Sequence, residues 1–158
     1  MRAAFFRAIP VRFAADPLSV EGSLQHGGRY NPIGGFGALY CAESRAVCAA
    51  EIGKPAARHP VLPYRLARIR VQLQRVLDLT DASTLTALGL RPEDLTGQDW
   101  DATQRLAAQA RAAGFEALLV PSAAGPGRNL VVFPDRLDPG SRVRVVGIPR
   151  ILRVPPRS

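Results

Sequence analysis

The chain has 158 residues, the size of one compact domain, with 47% hydrophobic and 22% charged residues and a mean hydropathy of +0.01. That balance excludes wholesale disorder, and the longest apolar runs, residues 117–120 and 130–133, are far too short for a membrane-spanning helix. A net charge of +8, carried by 20 Arg and one Lys against 13 acidic residues, raises the question of an acidic or polyanionic partner.

In chain order, Arg7 and Arg12 interrupt the opening apolar patch before a secretory signal core forms, which makes a cytoplasmic location the expectation. Residues 5–13 read as a first strand. Residues 16–37 follow as a long, Gly-rich stretch with little periodicity, and a loop of that length inside a compact domain is usually functional. A short apolar strand over 38–42 leads into a helix over 45–52, with Ser44 placed to cap its first turn and Gly53 and Pro55 placed to end it. Cys41 and Cys48 make neither a CxxC pair nor a disulfide framework, and both read as small buried hydrophobes.

Residues 62–79 alternate, with Ile69, Val71 and Leu73 on one face and Arg68, Arg70, Gln72 and Gln74 on the other, as in a strand with one wet face. Asp81 and Gly89 bracket a short helix, and a longer one runs from Asp99 or Asp101 to Ala113, ending at Gly114. Three strands, 115–120, 129–133 and 142–146, close the pattern, and a basic tail is expected over 148–158. Strands in two batches with few helices between them predict an α+β domain rather than a doubly wound sheet.

Little familiar chemistry is encoded. His26 and His59 are the only histidines and sit at no metal-ligand spacing from each other or from a cysteine, so no metal is expected. No P-loop, no Rossmann turn and no GxSxG elbow is present. Three segments remain. In the first, 26–32, Gly27 and Gly28 allow close approach of a ligand to the backbone, and Arg29 offers a planar fork of donors for phosphate or ribose oxygens. In the second, 38–52, Glu51 lies on an otherwise apolar helix, with Glu43 as a rival carboxylate. In the third, 118–134, an apolar strand ends in Pro121 and Ser122 and is followed by Asn129. Arginines cluster at positions 65, 68, 70 and 75 and again at 142, 144, 150, 153 and 157, without the interleaved aromatics a single-strand nucleic-acid binder would use.

The runs GGRYNPIGGFGALYCAESRAVCAAEI and LLVPSAAGPGRNLVVFP, with the opening FRAIPVRFAADPLSVEGSLQHGGR and the closing RVRVVG, resemble the RES domain over residues 5–147. The Arg, Glu and Ser for which that family is named fall on Arg29, Glu51 and Ser122. The resemblance implies a single-domain, ADP-ribosyltransferase-like split β-sheet core with flanking helices. It also implies the toxin of a type II toxin–antitoxin system that consumes NAD, its substrate, and is neutralised by an antitoxin with an Xre-like helix-turn-helix domain.

Cleaving the nicotinamide–ribose bond passes through an oxocarbenium-like state, which a carboxylate stabilises. On the family's pattern Glu51 takes that role, Arg29 clamps the diphosphate or ribose, and Ser122 orients a ribose hydroxyl or the acceptor. Tyr30 and Tyr40 offer ring faces to the bases, and Gly28 and Asn129 complete the binding set. Tyr30 stands where the family often has Trp. Water, phosphate or a protein side chain is left open as acceptor, the last making a mono-ADP-ribosyltransferase. A non-catalytic basic module for nucleic acid is the reading from another class, although direct nucleic-acid binding is not expected.

Overall fold

The computed structural model describes residues 1–56 and 63–152; Leu62, His59, Arg153 and Arg157, named above, lie outside the described residues. The elements are β1 (Arg2–Pro10), α1 (Glu21–His26), β2 (Leu39–Ala42), α2 (Arg45–Ala56), β3 (Tyr64–Gln72), β4 (Val76–Asp78), α3 (Ala82–Ala87), α4 (Pro92–Thr96), α5 (Trp100–Ala112), β5 (Ala117–Pro121), β6 (Arg128–Val132) and β7 (Arg142–Leu152). The strands form one seven-stranded sheet in the order β4-β5-β6-β2-β1-β3-β7, antiparallel throughout except for β4 beside β5. Sheet and helices make the α+β architecture the sequence predicts.

Alternation decides which residues fill the core. Ile69, Val71 and Leu73 are 0 to 2% exposed, whereas Arg68, Arg70 and Gln72 on the opposite face are exposed. The buried set joins Phe5, Ile9, Leu39, Cys41, Leu119, Leu130 and Val132 in one cluster, and each large apolar side chain there contributes about 1.5–3 kcal/mol of burial. On the other face, α4 and α5 bring Leu95, Ala107 and Ala110 to Leu118, Val120, Val131 and Phe133. Beside them α2 packs Val47 and Cys48 on Ala42, Phe6, Ala8 and Leu66.

Several boundaries differ from the sequence pattern, each for a local reason. The first strand starts at Arg2 and stops at Pro10, and residues 11–13 form a 3-10 turn. The alternating run over 62–79 is two strands, because the N–H groups of Gln74 and Arg75 donate to the buried Glu116 carboxylate at 2.8 and 3.0 Å instead of continuing a ladder. Helix α2 passes both Gly53 and Pro55, the residues expected to end it, and runs to Ala56; the cost of Gly53, about 1 kcal/mol relative to Ala, is too small to stop it. Strand β7 continues to Leu152, so Arg150, Ile151 and Leu152, expected in a tail, pair with Leu66, Arg65 and Tyr64.

The long segment 16–37 is ordered from within. It contains α1, and the fully buried Asn31 is its hub: Asn31 Nδ2 donates to the carbonyls of Ser23 and Phe36, at 2.8 and 3.1 Å. Ser23 Oγ in turn donates to the Val20 carbonyl and accepts from the Ala38 N–H, which ties the segment to the start of β2.

Candidate active site

Three elements converge on one carboxylate. Helix α2 carries Glu51 over the end of β5 and the start of β6, where Ser122 Oγ donates to Glu51 Oε1 at 2.5 Å and Asn129 Nδ2 donates to the same oxygen at 2.7 Å. The helix is set there by Ser44, whose Oγ accepts from the Val47 N–H at 3.1 Å, the predicted cap. Ser122 is 7% exposed and is itself held by its N–H on the Gly127 carbonyl and by the Ala124 N–H on its Oγ. Gly127 has φ +125, and a Cβ there would stand 2.3 Å from Val47 Cγ2, so only glycine lets this loop close on α2.

Glu43, the rival carboxylate, is committed elsewhere: it accepts from the Arg128 N–H and from Arg128 Nε, both at 2.8 Å. It secures the start of β6.

The Gly28–Asn31 turn forms the second wall. Tyr40 Oη donates to Asn31 Oδ1 at 2.7 Å and accepts from the Tyr30 N–H at 3.0 Å. A Cβ on Gly28 would lie 2.5 Å from that hydroxyl, so Gly28 is the space in which Tyr40 makes both bonds. The turn is also gripped from α5: Thr103 Oγ1 donates to the Arg29 carbonyl, and Gln104 Nε2 donates to the carbonyls of Gly28 at 2.8 Å and Asn31 at 3.2 Å. His26 ends α1 just before the turn and is exposed.

Tyr30 and Tyr40 both support the turn. Tyr30 is 2% exposed, packed in the cluster of Leu118 and Phe133, and Tyr40 lies against the same cluster with its hydroxyl engaged on both sides. Burial pushes both phenol groups well above their ordinary pKa of 10.0, so both stay protonated donors at neutral pH. The nearby Arg29 charge pulls both back and the Glu51 charge raises Tyr30 further, which places the Tyr30 hydroxyl within the fields of both groups.

Arg29 itself does not touch the Glu51 group. Its Nη1 donates to the Gly97 carbonyl at 2.5 Å and its guanidinium stands 5.7 Å from the centre of the Trp100 ring. Thus Glu51, Ser122 and Asn129 meet directly, Gly28, Tyr30 and Tyr40 meet in the adjoining wall, and Arg29 stands at the rim. Sequence reasoning missed Asn31, Trp100, Thr103 and Gln104, and no local signal marked the last three, whose partners in the turn lie more than 70 residues away in the chain.

Two buried polar atoms in these walls lack a hydrogen-bond partner among the described residues: Tyr30 Oη and Asn129 Oδ1. Buried polar groups are ordinarily satisfied, and an orphan donor and an orphan acceptor flanking one carboxylate are what a polyhydroxylated ligand would complete. The arrangement suits an electron-poor sugar carbon: a carboxylate held by two donors, further hydroxyl and amide groups for ribose oxygens, and a guanidinium at the rim for phosphate.

Two shallow grooves lie away from this site. One, of about 500 Å³, is lined by Arg2, Arg70, Arg142 and Arg144 with Gln72, and the other, of about 390 Å³, by Arg45, Arg68 and Arg150 with Phe6 and Ile148. They hold none of the groups just described and form a basic face. Among the described residues no group of three or more His, Cys, Asp or Glu converges to hold a metal ion, and no helix is long and apolar enough to cross a membrane.

The chain is also similar to known proteins. The family model for the RES domain matches residues 4–155. The chain is 35% identical over 132 residues to the NAD(+) phosphorylase MbcT of Mycobacterium tuberculosis, covering 79% of this chain and 71% of that one. It is 39% identical over 133 residues to the probable NAD(+) phosphorylase Rv3189 of the same organism, covering 81% of this chain and 61% of that one. Among solved structures it resembles the crystal structure of the M. tuberculosis MbcT–MbcA toxin–antitoxin complex, with a TM-score of 0.76 and 31% identity over 92% of this chain and 85% of that one.

Proposed function

The chain belongs to the RES domain family, and from that premise we propose that it is the toxin of a toxin–antitoxin pair and cleaves the nicotinamide–ribose bond of NAD. The observation that carries the chemistry is the Glu51 carboxylate, held by Ser122 and Asn129 where α2 meets the ends of β5 and β6. Both donors meet Oε1, which leaves Oε2 to accept from a ribose hydroxyl and to face the anomeric carbon. As the bond from that carbon to the pyridinium nitrogen breaks, its electron pair leaves with neutral nicotinamide, and positive charge develops on the ribose beside the carboxylate. Arg29 turns from the Gly97 carbonyl to the diphosphate, for which a bidentate cation is suited.

Phosphate is the acceptor we favour, because the relatives are named phosphorylases. Its oxygen then bonds to the anomeric carbon, giving ADP-ribose 1-phosphate and nicotinamide with release of one proton. The residues would act in the cytoplasm without a metal. The partner is an antitoxin, for which an Xre-like helix-turn-helix protein with an acidic surface toward the basic face is the finer reading.

The test is nicotinamide release from NAD by the purified chain, with and without phosphate. Wild type releases nicotinamide faster with phosphate, and Glu51→Gln, its fold checked by circular dichroism, loses about 10²- to 10³-fold in kcat, the scale for removing one electrostatic stabiliser. Equal release by Glu51→Gln would overturn the assignment. Binding of DNA by a folded but inactive wild type would favour the basic module instead.

A further inference from the structure

The geometry points to Trp100 as the shelf on which the purine end of the dinucleotide stacks. The inference rests on the NAD-cleaving reading and adds where the far end of that substrate lies. Of the two tyrosines expected to offer ring faces, Tyr30 is 2% exposed and Tyr40 is half-buried with its hydroxyl engaged on both sides. Trp100 presents a more open ring: it starts α5 with 45% of its surface exposed, beside the Arg29 guanidinium.

Its position is tied to the site. The residues one turn further along α5, Thr103 and Gln104, grip the carbonyls of Gly28, Arg29 and Asn31, so the start of α5 is tied to the Arg29 turn. The Asp99 side chain fixes the helix start by accepting from the N–H groups of Asp101 and Ala102. In this structure the guanidinium rests beside the ring and on the Gly97 carbonyl. A guanidinium that leaves to bind a diphosphate uncovers an aromatic face beside the new position of its charge. The group joined to that diphosphate on the side away from the ribose over Glu51 is a nucleoside base, and a flat base stacks on an indole with about 1–3 kcal/mol by alanine substitution.

Trp100 is the only tryptophan of the chain, so its fluorescence under selective excitation reports this ring alone. Wild-type protein is titrated with ADP-ribose, which carries the purine, and with nicotinamide mononucleotide, which carries a phosphate but no purine. The second ligand controls for quenching caused only by movement of Arg29. Saturable quenching by ADP-ribose and little change with the mononucleotide are expected. In parallel, Trp100→Ala raises KM for NAD about ten-fold with kcat changed less than two-fold, and Trp100→Phe restores most of the KM, as the stacking scale requires. Equal quenching by both ligands, or an unchanged KM in Trp100→Ala, overturns the shelf. A wild type that releases no nicotinamide refutes the reading of function instead, and the ADP-ribose titration still decides whether the ring meets a purine.

Discussion

Replacing Tyr40 by Phe removes one oxygen and tests how the rim of the site is built. That hydroxyl donates to Oδ1 of the fully buried Asn31 and accepts from the Tyr30 N–H. Its loss leaves one acceptor and one donor without partners, at about 1–3 kcal/mol each, so a total near 3 kcal/mol is expected. For a domain of this size each kcal/mol moves the midpoint by roughly 2–4 °C, which predicts a fall of about 6–12 °C in thermal unfolding followed by circular dichroism. Gly28→Ala provides the internal control, because its Cβ would stand 2.5 Å from the same hydroxyl and 2.9 Å from the Tyr40 ring carbon that bears it. Both changes break one arrangement, so the double variant should be less destabilised than the sum of the singles by about 1 kcal/mol or more. A midpoint within about 2 °C of wild type for Tyr40→Phe, or strict additivity with Gly28→Ala, would refute the claim that this hydroxyl holds the turn.

Other substitutions probe the frame around the site. Glu116 is buried, and although burial alone would raise its pKa, the N–H groups of Gln74, Arg75 and Asp138 help hold the carboxylate below its ordinary 4.5. A group depressed on folding adds stability that is complete above the unfolded value and lost as pH falls, so Glu116→Gln should cost about 1–3 kcal/mol near neutrality. Urea midpoints measured from pH 7 downward should then show a shallower acid loss in the variant than in wild type. Arg111 forks onto Asp135 at 2.6 and 2.9 Å and lies 4.0 Å from the Phe36 ring centre, so Arg111→Lys should recover less than half of the stability lost by Arg111→Ala in chemical denaturation. Burial pushes the Cys41 thiol up to about 12 and the Cys48 thiol to about 11, so thiol reagents at pH 8 should label neither in the folded protein and both in denaturant.

What could be read from the sequence was local. The alternation at Ile69, Val71 and Leu73 needs only the two-residue period of a strand, and the Ser44 and Asp81 caps need only a side-chain oxygen one turn ahead of the N–H it accepts. Glu51 and Ser122 came from a motif, and the structure brings them together. The helix inside residues 16–37 was hidden because its six residues are too few to show a period, and its support comes from Ser23 and Asn31 rather than from propensity. The break between β3 and β4 was hidden because its cause, Glu116, lies 41 residues beyond Arg75. The same distance problem concealed not α5 itself, which its pattern showed, but its grip on the turn: Gln104 is 76 residues from the Gly28 carbonyl it holds, and neither residue advertises the other.

The junction that holds Glu51 has a consequence for timing. The carboxylate enters the chain 71 residues before Ser122 and 78 before Asn129, on a helix made well ahead of both strands that finish the site. During synthesis, the nascent chain therefore carries its acid long before it carries the two donors that aim it. A chain cut short before β5 and β6 would have Glu51 and Arg29 but no assembled centre. Whatever chemistry Glu51 performs is thus withheld until the last strands close, and the centre comes into being in one late step.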